Sequence, residues 1–184
     1  MIRDIIFDMD GTLVQSEKMK ARSYAIAVQK IRGLPEPEAR AVEAYREIVG
    51  ATREVASRHV MDALELEDDL RPLMASYGAA ETWDVLTAMR REIYEGMVAD
   101  PQAIRDNQWP HTVALLRIAR EKYCQTGLAT MSQRQEVLHV LRSLGLEESL
   151  DLVLTREDVQ EPKPDPEIYL LAAEKLSVPP EECL

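Results

Sequence analysis

Apolar positions in this sequence fall into short continuous runs near the N-terminus and in the last third, and into helical stripes between. Ile5, Ile6 and Phe7 form a run bounded by Asp4 and by Gly11-Thr12. That pattern predicts a buried strand stopping in a turn. After Val14 the period changes. Ser16 can cap a helix with Met19, Tyr24, Ile26, Ala27 and Ile31 at helical spacing, ended by Gly33. Pro35 and Pro37 mark a turn, and a second helix is expected over about 37–48, carrying Ala41, Val42, Tyr45 and Ile48. Gly50 breaks it, and Thr52 opens a third over 53–66 with Val55, His59, Val60, Ala63 and Leu64 near one face. Two more are expected over 68–77 and 80–98. In the latter, Trp83, Leu86, Met89, Ile93 and Met97 form an apolar stripe, read as core.

Alternation of strand and helix then resumes. A helix is expected from His111 to Lys122 with Val113, Leu115, Leu116 and Ile118, and a strand from Cys124 to Met131. Ser132 opens a helix running through Val137, Val140, Leu141 and Leu144 to Gly145, and Leu150 to Thr155 reads as a third strand. Pro164 to Ser177 is a loop and a helix bearing Ile168, Tyr169, Leu171, Ala172 and Leu176. Strands separated by helices predict a parallel sheet, so the fold class is α/β with a Rossmann-like core. Residues 1–14 and 104–184 form that core, and 15–103 an inserted all-helical domain.

Composition narrows the function classes. The chain has 184 residues, 46% of them hydrophobic and 30% charged, with a net charge of -11. This is the make-up of an ordinary globular protein. The negative balance argues against nucleic acid or an anionic membrane as partner. No basic n-region or long apolar run suggests a signal peptide or a membrane span. Cys124 and Cys183 show no metal-ligand spacing and read as reduced thiols of a cytoplasmic protein, a monomer or weak homodimer. His59, His111 and His139 are scattered and read as helix-face residues.

The chemistry concentrates at strand ends, where a parallel sheet places its ligands. Asp8 and Asp10 are one residue apart, so in an extended chain both carboxylates leave one face. Two such charges repel unless a cation joins them. Mg²⁺ suits them, since it favours oxygen ligands and keeps room for a phosphate. The pair equally well just ends a strand through turn chemistry. Gly11 frees the backbone to turn and Thr12 adds a hydroxyl at the same mouth. Thr130, Met131 and Ser132 precede a helix whose N–H groups and dipole suit a phosphate, or Ser132 is simply an N-cap. Lys163 lies in EPKPDPEIY between two prolines that stiffen its loop. It either points inward or is a solvated turn lysine. Asp165 reads as a cap for the helix that follows.

FDMDGTLVQSE resembles the first signature of the haloacid dehalogenase (HAD) superfamily. The insertion after the first strand resembles the branch with a helical cap. The resemblance implies that Asp8 is a nucleophile forming an aspartyl-phosphate, and that Asp10 is the general acid and base, its carbonyl helping hold Mg²⁺. Thr130 matches the Thr or Ser that binds the transferring phosphoryl group, and Lys163, in K-P-x-P, matches the third signature. Gly50-Ala51-Thr52-Arg53 resembles a cap segment near the leaving group, where Arg53 either holds a second anionic group on the substrate or is simply an exposed helix arginine. The implied activity is a Mg²⁺-dependent phosphomonoesterase of a small phosphorylated metabolite. The nearest alternative is a β-phosphoglucomutase-like mutase, although such mutases usually carry His where this chain has Lys20. A dehalogenase branch would lack Asp10, and a third alternative keeps the fold as an inactive binding protein. The acidic pair of the fourth signature is missing. Before Leu184 only Glu181-Glu182-Cys183 occupies the start of the next expected strand. The sequence therefore reads as a truncated core lacking about 30 to 50 residues, by usual domain sizes. It is expected to have an unpaired edge on the first strand, weak metal binding and activity restored by extension.

Overall fold

The computed structural model describes residues 2–122 and 124–184 and divides into two compact units, 17–99 and 1–16 with 100–184. The first unit is helical: α1 (Ser16–Arg32), α2 (Ala39–Arg46), α3 (Arg53–Ala63), α4 (Glu67–Leu70), α5 (Met74–Tyr77) and α6 (Thr82–Ala99). Its core gathers Tyr24, Val28, Val60, Leu66, Val85 and Leu86. The single helix expected over 68–77 is broken between α4 and α5 by a 3-10 turn, Arg71–Leu73. Pro72 has no N–H to continue an α-helical ladder. The inward face of α3 also differs from expectation. Val55 is exposed, whereas Ala56, Ser57, Val60 and Met61 are buried. Ser57 tolerates burial because its hydroxyl lies 2.9 Å from the Tyr24 hydroxyl and accepts from Thr87 Oγ1 at 2.7 Å. Thr52 caps α3 as expected, its Oγ1 accepting from the Val55 N–H. Ser16 does not cap through its side chain: its hydroxyl is buried without a partner.

The second unit holds three parallel strands in the order β1 (Asp4–Phe7), β2 (Gln125–Ala129), β3 (Leu152–Leu154). Asp4 pairs with Gln125 and Phe7 with Leu128, and Gly127 pairs with Leu152. Its helices are α7 (Pro101–Asp106), α8 (Pro110–Glu121), α9 (Arg134–Leu144) and α10 (Glu167–Leu176). Of these, α8 and α10 pack on the sheet and α7 on α9. The sequence reading missed α7, although Asp100 accepts from the Gln102 N–H at 2.9 Å and Pro101 stands in the first turn, both usual start signals. On α8 only part of the expected stripe is inward: Val113, Leu116 and Ala119 are buried, whereas Leu115 and Ile118 are exposed. The outer edge of β1 is not bare over residues 3–6, contrary to expectation. Arg3 and Ile6 donate backbone N–H groups to Glu182 and Leu184 at 2.9 and 2.8 Å, and Leu184 donates to Asp4 at 3.0 Å. Among the described residues no helix is long and apolar enough to cross a membrane.

Asp4 is fully buried, and neither carboxylate oxygen has a hydrogen-bond partner. Burial pushes its pKa above the ordinary carboxylate value, outweighing the opposing pull of the nearby Cys183 thiol and Ile5 N–H, neither of which reaches hydrogen-bond geometry. A raised folded-state pKa means stability is greatest below the unfolded value and is lost as pH rises through the folded one. Asp4→Val is therefore expected to stabilise the protein at pH 7 by about 2 kcal/mol, the scale of an orphaned buried polar group. The gain should shrink as the pH falls towards about 4. Thermal melts across that range check it, and a pH-independent or absent gain would contradict it.

Candidate active site

The chain leaves β1 at Asp8 and turns at once. Gly11 takes φ +77°, a region that favours glycine, and its N–H bonds the Val14 carbonyl at 2.8 Å. Leu13 and Val14 return N–H groups to the Met9 carbonyl at 2.9 and 3.1 Å, and Thr12 does so at 3.3 Å. Met9 is buried under the turn, while Asp8 and Asp10 on either side are half-buried. Asp8 and Asp10 thus stay partly open while the residue between them anchors the turn.

Two other strand ends supply the partners. After β2, Thr130 is buried, with its N–H on the Leu154 carbonyl at 3.1 Å and its Oγ1 accepting the Ser132 N–H at 3.2 Å. The Ser132 hydroxyl donates to Asp10 Oδ2 at 2.7 Å. After β3, Lys163 reaches back so that its Nζ donates to Asp8 Oδ1 at 3.0 Å and to the Ala129 carbonyl at 2.9 Å. Its backbone N–H meets Met131 Sδ at 3.4 Å, so the Met131 side chain supports the Lys163 loop. The Lys163–Pro164 peptide is cis. Burial alone would lower the Lys163 pKa, but Tyr169 and Asp8 outweigh it and hold the ammonium above the usual lysine value.

Asp8, Asp10, Gly11, Thr12, Thr130, Met131, Ser132 and Lys163 all lie in the α/β unit, and the bonds above tie three strand ends together. Arg53 is in the helical unit, exposed at the start of α3. Two details differ from the sequence reading. Ser132 does not cap α9, since its hydroxyl is committed to Asp10. Gln133 occupies the cap position, and the Arg134 N–H is taken by the Glu157 carboxylate at 3.1 and 3.2 Å. That end of α9 is thus already supplied with an anion. Pro166, not Asp165, occupies the cap position of α10, and Asp165 Oδ1 accepts the first N–H of the helix, from Glu167, at 2.9 Å.

Tyr169 went unnoticed as a site residue because it sits on an apolar helix pattern. In α10 its ring centroid lies 4.9 Å from Lys163 Nζ, a cation–π contact. Its spacing six residues after Lys163, at the first turn of the next helix, was the available signal.

Among the described residues no group of three or more His, Cys, Asp or Glu side chains gathers as a metal site. The donor set still suits a hard cation. One Asp8 oxygen faces Lys163, the second has no partner among the described residues, and the Asp10 carbonyl accepts none of the turn's hydrogen bonds. Two oxygen donors match an ion that keeps several waters and takes few protein ligands, as Mg²⁺ does.

Comparison with known proteins identifies the family. A family model described as haloacid dehalogenase-like hydrolase matches residues 2–184. A phosphorylated carbohydrates phosphatase of Thermotoga maritima is 29% identical, over 97% of this chain and 72% of its own. The phosphoglycolate phosphatase of Escherichia coli is 27% identical, over 100% of this chain and 72% of its own. A solved Thermotoga maritima structure, described as a candidate β-phosphoglucomutase, superposes with TM-score 0.68 at 25% identity, covering 100% of this chain and 74% of that one. With a parallel α/β core, an aspartate pair at the end of its first strand and a family match spanning nearly its whole length, this chain belongs to the haloacid dehalogenase-like hydrolases.

Proposed function

We propose that this protein is a Mg²⁺-dependent phosphomonoesterase of a small phosphorylated metabolite, acting through an aspartyl-phosphate on Asp8. The observation that carries the reading is the contact between Lys163 Nζ and Asp8 Oδ1, 3.0 Å across 155 positions of sequence, beside Asp10. The phosphatase names of the curated relatives support the same substrate class.

In this reading an Asp8 oxygen attacks phosphorus in line, forming an acyl-phosphate bond as the bond to the leaving oxygen breaks. Asp10, oriented by the Ser132 hydroxyl, donates its proton to that oxygen. It then takes a proton from the water that attacks phosphorus and releases phosphate, which regenerates the Asp8 carboxylate. Lys163 and the Thr130 hydroxyl compensate charge on the phosphoryl oxygens. Mg²⁺, held by Asp8 and the Asp10 carbonyl, supplies charge neutralisation there when bound. Arg53, in the helical unit, is assigned to a second anionic group on the substrate. The setting is cytoplasmic, in line with two unpaired cysteines.

Phosphate release from a panel of sugar phosphates, phosphoglycolate and nucleotides, in millimolar Mg²⁺ and in EDTA, tests the reading. Metal-dependent release from at least one small substrate is expected. Absence of release throughout, or release unaffected by EDTA, contradicts it. The mutase alternative draws on the β-phosphoglucomutase-like neighbour. Lys20, at the position where such mutases usually carry His, is engaged with Glu17 Oε1 at 2.6 Å. Isomerisation of β-glucose 1-phosphate without free phosphate would favour that alternative.

Tyr169 provides a smaller test of the same centre. If its ring steadies the Lys163 ammonium, Tyr169→Leu lowers kcat roughly 2- to 30-fold, the span of a cation–π contact, while Tyr169→Phe retains activity. Steady-state kinetics on the two variants checks this, and equal losses in both would contradict it.

A further inference from the structure

We infer that Arg90 anchors an anion-binding site within the helical unit, one that takes a carboxylate or phosphate group of a small molecule. Arg90 lies on the inward face of α6 with only 8% of its surface exposed. Its Nε–H is buried without a hydrogen-bond partner, and among the described residues no carboxylate is within ion-pair distance of it. A guanidinium has five N–H donors and cannot shed its charge by deprotonation. Burying it unpaired is costly, so an orphaned donor of this kind calls for a partner.

Two of its neighbours present aromatic faces. The guanidinium lies 5.5 Å from the Tyr24 ring centroid and 6.0 Å from that of Tyr94. Aromatic faces attract a cation, yet they leave the buried Nε–H without an acceptor. Glu17 is the acidic group whose field the guanidinium shares, and it is already committed. Its Oε1 accepts from Lys20 Nζ at 2.6 Å and its Oε2 from the Tyr45 hydroxyl at 2.6 Å. Burial pushes the Glu17 pKa up, but these hydrogen bonds, with the charges of Lys20 and Arg90, more than offset it and keep the carboxyl ionised. The Tyr24 hydroxyl is paired with Ser57. Arg90, Lys20 and Glu17 together leave one positive charge uncompensated. An anionic oxygen fits both that charge and the orphaned Nε–H.

The site stands independently of the phosphatase reading. Its test is the Arg90 Nε–H resonance in the full chain, followed by NMR through titrations with inorganic phosphate and with glycolate at constant ionic strength. The resonance is expected to shift and saturate with at least one anion. Calorimetry should then show that anion bound about tenfold or more weakly by Arg90→Met, the scale of a charged hydrogen bond, with an intermediate loss in Arg90→Lys. A resonance that stays fixed in both titrations overturns the inference, whatever the variants do to folding. Two sources of the anion are separated by kinetics with phosphoglycolate and phenyl phosphate. A loss of kcat/KM in Arg90→Met confined to phosphoglycolate assigns the group to the substrate. Unchanged kinetics on both, with the resonance still shifting, assigns the site to a free anion.

Discussion

Asp8→Asn is expected to reduce phosphate release by about four orders of magnitude or more in kcat, the scale seen when a covalent nucleophile is removed. The amide keeps the size and shape of the carboxylate, so the turn from Met9 to Val14 should survive. It has no free anionic oxygen to attack phosphorus, and it also loses the charge that draws Lys163 Nζ to 3.0 Å. Substrate affinity should change far less than turnover, because Thr130, Ser132 and Lys163 remain. Single-turnover kinetics at saturating substrate checks the prediction. A variant within tenfold of the parent would mean that another group attacks phosphorus.

Lys163→Met is expected to lower kcat about 100- to 1000-fold, as when one preorganised donor to a developing charge is lost. The ammonium bridges the Asp8 carboxylate and the Ala129 carbonyl, which fixes it at the end of β2 where the phosphoryl group would sit. The thioether replacement keeps length and apolar stem but no charge. Thermal stability should change little, because the Lys163 and Asp8 side chains are 22% and 34% exposed and a part-solvated pair contributes little to folding. Unchanged melting with collapsed kcat is the expected pattern. Loss of folding with normal specific activity in the folded fraction would make Lys163 structural.

The centre was legible in the sequence because its residues carry backbone instructions as well as chemistry. Asp8 and Asp10 stand between an apolar run and a Gly that takes positive φ, and Lys163 stands between two prolines. Such punctuation survives without coordinates. The helix faces were less legible. Val55, Leu115 and Ile118 are apolar yet exposed, while Ser57 and Arg90 are polar yet buried. Burial of Ser57 depends on Tyr24 and Thr87, which come from other helices, and no local pattern encodes that meeting. The reading of Ser132 as a possible N-cap failed for the same reason, since its partner is Asp10, 122 positions away. Pro72, by contrast, is a local signal of the break between α4 and α5, and Asp100-Pro101 of the start of α7.

Acid quenching during turnover, followed by peptide mass spectrometry, tests the covalent step most directly. One phosphoryl group on the peptide containing Asp8, labile to hydroxylamine and absent from Asp8→Asn, is the predicted result. Sustained phosphate release with no phosphorylated peptide, or with the group on any other residue, would contradict the account.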